Sequence, residues 1–149
     1  MKITFKKPVS PDKILEVLDI SPIVYFKKLK DTKAWKATSL YVRTKSKGKC
    51  YTCGTIYPIK KLHAGHLIEK RGHSAIYFDL DGLRGQCMRC NRYLHGNKDI
   101  FGQKLRKEIG EERVNALYKK SQKTKVWRKN ELLRIEEEIK KLSPTRFDV

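Results

Sequence analysis

Apolar positions recur at helical spacing on both flanks of this chain, whereas in the middle they fall into short runs punctuated by glycine and cysteine. After an extended start at Ile3 and Phe5, Ser10-Pro11 reads as N-cap and first helical residue, opening a helix over 10–19 that buries Ile14, Leu15 and Leu18. Ser21-Pro22 stops it. Residues 23–31 are apolar and then basic, and fit a strand or a connector equally. From Thr32 the period is helical again, with Trp35, Ser39 and Val42 on one stripe and Leu40 and Tyr41 beside it.

The middle reads differently. Residues 50–54 form a tight cysteine turn relieved by Gly54. Segments 55–57 and 62–68 look like the strands of a hairpin with 58–61 at its tip and histidines on the second strand. A loop marked by Gly72, a strand over 76–80 and a turn at Asp81-Gly82 follow. Cys87 then opens a helix that runs through Leu94 and ends at Gly96.

Downstream, Asn97 caps a helix reaching Ile109, with Ile100, Phe101, Leu105 and Ile109 apolar and Gly110 as its stop. The next helix covers 111–120, acidic in its first turn and basic in its last, with Val114, Leu117 and Tyr118 inward. A basic linker over 121–129 leads to a final helix capped by Asn130, in which Leu132, Ile135, Ile139 and Leu142 recur at spacings of three and four. Ser143-Pro144 ends it. The pattern implies an α+β chain, mainly helical around a small hairpin-helix core. It divides into a basic N-terminal helical region (1–49), a cysteine-rich core (50–98) and a basic C-terminal helical region (99–149).

Charge sharpens this picture. The chain carries 35 Lys and Arg against 16 Asp and Glu, a net +19, which implies a polyanion as partner; a merely solubilising surface is the bland alternative. The flanks hold most of the surplus, as expected if they grip a phosphate backbone while the centre acts. No apolar run is long enough to span a membrane, and the N-terminus lacks the apolar middle of a signal peptide, so the expected location is the cytoplasm, that of the host cell if the chain is phage-encoded.

Two Cys-x-x-Cys pairs, Cys50/Cys53 and Cys87/Cys90, are separated by 33 residues. In a reducing compartment this spacing points to a structural four-thiolate Zn²⁺ rather than to disulfides. A closed zinc leaves the histidines unexplained. His66 alone reads most simply as a structural histidine. Its surroundings argue otherwise, because Asn91 and His95 lie four apart on the helix that starts at the second cysteine pair and can converge on one ion. A neutral imidazole opposite a divalent cation is what phosphodiester hydrolysis requires. Spacing and charge therefore reach as far as a metal-dependent nuclease.

The order WKxxSxYVR, CxxCG, HAGH, QCxRCNRYLxGN, a Gly-Glu-Glu helix and KxW, running from Trp35 to Glu131, resembles the HNH (His-Me finger, ββα-metal) endonucleases of the zinc-clamped kind, and among them the phage recombination NinG (Rap) family. The resemblance implies a zinc-stabilised ββα-metal core in which His66 is the general base. Asn91 would be the helix residue on the catalytic metal, Mg²⁺ or Mn²⁺, with His95 a second ligand and His63 or Asp81 as helpers. It implies cleavage of branched DNA such as Holliday junctions during phage recombination. Where many members carry a metal ligand before the base this chain has Gly65, and where they carry a central asparagine it has Gly82. Arg89 and Arg92 flank Asn91 and suit phosphate contacts, as do Lys70, Arg71, Lys125 and Arg128; Trp127 suits stacking on a splayed base or packing of the last helix. The apolar stripe of the last helix fits the monomer's core or a homodimer. Two other readings are a catalytically silent zinc-ribbon DNA-binding module and a recombination adaptor.

Overall fold

Thr32 begins the first helix: its Oγ1 accepts from the backbone N–H of Trp35 at 3.1 Å, and α1 runs Lys33–Lys45. The computed structural model describes residues 29–143, so the helix expected over 10–19 and the stop at Pro144 lie outside the described residues. The buried line of α1 is Ala34, Thr38 and Val42, one position round from the expected stripe. Thr38 tolerates complete burial because its hydroxyl donates to the Ala34 carbonyl at 2.7 Å.

The sheet has two strands, β1 (His63–His66) and β2 (Leu83–Gln86). They pair antiparallel with His63 opposite Gln86, Ala64 opposite Gly85, Gly65 opposite Arg84 and His66 opposite Leu83. This corrects the expected hairpin. Residues 55–57 do not join β1; Ile56 instead makes a single bridge to Lys49 across the first cysteine turn. The strand expected over 76–80 is replaced by two short 3₁₀ turns, Ser74–Ile76 and Leu80–Gly82. The unexpected strand, LRGQ, hides its signal: Leu83 is its one apolar side chain, and Gly85 is required because a Cβ there would sit 2.7 Å from the side chain of Ser46, which caps the end of α1.

The helix after Cys87 is also shorter than expected. It widens into a π-helical turn, Arg89–Tyr93, in which Leu94 N–H reaches back to the Arg89 carbonyl at 2.9 Å. His95, Gly96 and Asn97 then follow in succession at φ of 51°, 89° and 48°. His95 therefore lies in a left-handed turn beyond the helix and not one helical turn above Asn91, as the four-residue spacing had implied. Asn97 occupies the N-cap position of α2 (Lys98–Ile109) without a side-chain capping bond; its amide points at Cys90 Sγ, 3.9 Å away.

α2 is followed across Gly110 by α3 (Glu111–Ser121), and after a linker by α4 (Lys129–Leu142). Leu67, Ile68 and Ile76 from the inter-strand loop meet Phe101 and Leu105 of α2 and Val114 and Leu117 of α3 in one core. Burial of each such side chain contributes about 1.5–3 kcal/mol. Tyr118, expected inward, is exposed, as is the apolar Ile100. A second cluster joins Leu29, Ala34 and Trp35 to Tyr77, Phe78, Trp127, Leu132 and Ile135, and brings α4 against α1. Part of the α4 stripe thus closes the chain's own core, while Leu142 is exposed. The architecture is α+β and mainly helical, and no helix among the described residues is long and apolar enough to cross a membrane.

Candidate functional site

The two cysteine turns meet end to end. All four Sγ atoms of Cys50, Cys53, Cys87 and Cys90 lie within 4.8 Å of one another, and Cys53 and Cys87 are 3.8 Å apart. Thiolates 2.3 Å from a tetrahedral zinc would be separated by about 3.8 Å, so the donor set fits that ion. Backbone N–H groups already point at sulfur, Cys87 at Cys50 Sγ (3.3 Å) and Cys90 at Cys87 Sγ (3.5 Å). Burial pushes the Cys50 thiol up, but the N–H groups of Cys53 and Cys87 and the Thr52 hydroxyl outweigh it and draw it down to about 6. Burial holds Cys90 up at about 12, so four thiolates here need a cation among them. The cluster can hold a metal ion such as zinc.

Beside it opens a cleft of about 440 Å³, into which β1 presents Ala64 and His66 and the turn after the second cysteine pair presents Asn91, Arg92 and His95. His66 is 8 % exposed, stacks on Trp35 with ring centroids 5.4 Å apart, and places Nε2 2.9 Å from the Tyr77 carbonyl oxygen. A carbonyl only accepts, so Nε2 carries the proton of the neutral ring and Nδ1 remains as acceptor. Burial pulls the imidazole down to about 4, aided by the Lys70 and Lys98 charges and opposed by the Tyr77 bond.

Asn91 contacts His63: Nδ2 lies 3.0 Å from His63 Nδ1. The amide nitrogen donates, which keeps His63 an acceptor there and leaves Asn91 Oδ1 available to a cation. Burial lowers the His63 pKa, and Arg92, Arg43 and Lys70 add to it. His63 therefore stands behind Asn91 rather than in the lining of the cleft. His95 does line it. Among the described residues the four thiols are the group of three or more His, Cys, Asp or Glu side chains that crowd around one point. Asp81 is tied to Arg113 instead.

Of the basic residues singled out from the sequence, Lys70, Arg71 and Arg92 line the cleft. Arg89 is exposed but does not. Lys125 and Trp127 line a separate groove on α3 and the linker, where Lys125 pairs with Glu131. Trp127 packs edge-on to Phe78 at 4.9 Å and donates Nε1–H to the Ser74 carbonyl at 2.8 Å. Arg128, exposed, precedes α4.

Sequence reasoning passed over four residues. Lys98 donates Nζ to the carbonyls of His66 (2.9 Å) and Leu67 (2.6 Å), tying the end of β1 to the start of α2. Glu69 is the carboxylate lining the cleft. Tyr77 orients His66 through its backbone, which no side-chain pattern announces. Gln86, wholly buried, donates to the Gly96 carbonyl (2.8 Å) and Thr52 Oγ1 (3.2 Å), and its amide lies over β1. A Cβ on Gly65 would sit 1.9 Å from Gln86 Oε1, so the position before His66 has no room for a metal-binding side chain. Gly82 is likewise dictated by packing, with Leu117 2.8 Å from where its Cβ would be.

Residues 20–144 match the family model described as Bacteriophage Lambda NinG protein. No curated protein matches the chain, and no solved structure does.

Proposed function

Because the chain belongs to the family of the bacteriophage lambda NinG protein, we propose that it acts in phage recombination as a divalent-metal-dependent endonuclease on branched DNA, including Holliday junctions. The observation that carries the reading is His66: a neutral imidazole with Nε2 engaged by a carbonyl, at the edge of a cleft shared with Asn91, His95 and four basic side chains, Lys70, Arg71, Arg92 and Lys98. Nδ1 then takes a proton from the water that attacks phosphorus as the bond to the 3′ oxygen breaks. Lys70, Arg71 and Arg92 hold the flanking phosphates. Asn91 Oδ1 and His95 would hold Mg²⁺ or Mn²⁺, with Glu69 within the same cleft. A hard cation of this kind keeps several waters and takes phosphate oxygens as ligands, so a donor set this sparse suits it. When bound, it supplies positive charge to the scissile phosphate and the leaving oxygen. The four thiols, on this reading, hold a structural Zn²⁺ that joins the first cysteine turn to the π-helical turn bearing Asn91.

The test is nicking of a four-way junction and a flap in Mg²⁺ or Mn²⁺. His66→Gln and Asn91→Ala are each expected to lower the rate by at least about 10²-fold at unchanged zinc content and helicity. Full activity in His66→Gln would remove His66 as the base, and salt-sensitive binding without cleavage on any branched substrate would leave the chain a DNA-binding module.

A further inference from the structure

A second pocket, of about 340 Å³, lies among the C-terminal half of α1, the first cysteine turn, β2 and α2, and it shares no residue with the His66 cleft. Val42 and Leu83, both buried, give it an apolar floor, and Tyr41 and Tyr51 line it. Its rim is cationic: Lys45 and Lys49 are exposed, and Arg84 and Lys104 stand 5.5 and 5.7 Å from the Tyr51 ring centroid. The carboxylate of the site, Glu108, is already engaged, accepting from Tyr51 Oη at 2.6 Å and Arg84 Nε at 3.2 Å. That network closes one wall and leaves a surplus of positive charge around an apolar hollow.

A ligand that answers both features needs a flat apolar body and a negative charge. A nucleotide has both. Its base must also be out of the helix, because a paired base offers only its edges to a protein. We propose that this pocket takes one unpaired nucleotide of a DNA strand, its base against Tyr41 and the Val42 floor and its phosphate at Lys45 and Lys49. Such a pocket would let the chain recognise DNA that has lost pairing at a branch. The proposal rests on the reading of the chain as DNA-acting, and is independent of cleavage at His66.

The full chain is titrated, without added divalent cation, against a blunt duplex and against the same duplex carrying a single-stranded flap. Tyr41→Ala is expected to weaken flap binding about tenfold and duplex binding less than about twofold, and Tyr41→Phe to restore the preference. Flap DNA carrying 5-iododeoxyuridine in the unpaired arm is expected to cross-link wild-type protein within residues 41–51, a readout that stands even if Tyr41→Ala fails to fold. Equal losses on both DNAs, no loss on either, or a cross-link mapped elsewhere would overturn the proposal. Flap preference without nicking sinks the nuclease reading and keeps the pocket; nicking without flap preference does the reverse.

Discussion

His66 is held in its neutral form by where it sits. Stacked on Trp35 and 8 % exposed, it titrates at about 4, below the ordinary histidine value of about 6.5. Between those values the unfolded chain binds a proton that the folded chain refuses. Stability is therefore fully present above about pH 6.5 and falls as pH drops toward 4, by about 3 kcal/mol for this residue. Urea unfolding from pH 8 to pH 4 checks this, and His66→Gln should flatten the slope across that window. The type and place of this residue were legible in the sequence; its orienting partner was not, because that partner is a main-chain oxygen. Gly65 and Gly82 looked like missing functional groups when set against the family pattern. The Gln86 amide and the Leu117 side chain occupy the space those groups would need, which only the packed structure could reveal.

At the level of elements, the flanking helices and β1, inside the expected 62–68 strand, were readable, whereas β2 and the turn after Cys87 were not. Asn97 to Ile109, the 111–120 helix and the final helix each place apolar residues three and four apart, and each appears within a residue or two of its expected bounds. β2 has a single apolar side chain and a glycine, so it carries no alternation, and the more apolar segments 55–57 and 76–80 looked better as strands. The cysteine turns were legible from spacing alone. Their meeting around one point makes a structural prediction: a strong chelator should release one Zn²⁺ per chain, and with it hydrogen-exchange protection at 50–54 and Arg89–Tyr93. The α1–α4 contact, built on Tyr77, Phe78 and Trp127, should stay protected. Unchanged exchange in the cysteine turns after metal release would contradict this.

Across the whole molecule, charge and shape divide the work. On the proposed reading, a net +19, most of it on the two flanks, should make binding to any DNA strong at low salt and weak at high salt. Arg92, in the cleft, should contribute one phosphate contact: Arg92→Ala is expected to lower the slope of log K against log[salt] by about one, alike for duplex and branched DNA. An unchanged slope would place that side chain off the DNA path. The total charge was plain from composition, whereas its sorting into Lys70, Arg71 and Arg92 around one cleft and Lys125 in a separate groove required the tertiary fold.

The bond from His66 to the Tyr77 carbonyl has one more consequence, for how this chain can vary over generations. No exchange of side chain at position 77 deletes that oxygen, although the ring there also packs against Trp35, Phe78, His66 and Lys70. A single inserted or deleted codon between the two strands would swing the carbonyl away. For the orientation of His66, the length of this stretch counts for more than the identity of the side chain at position 77.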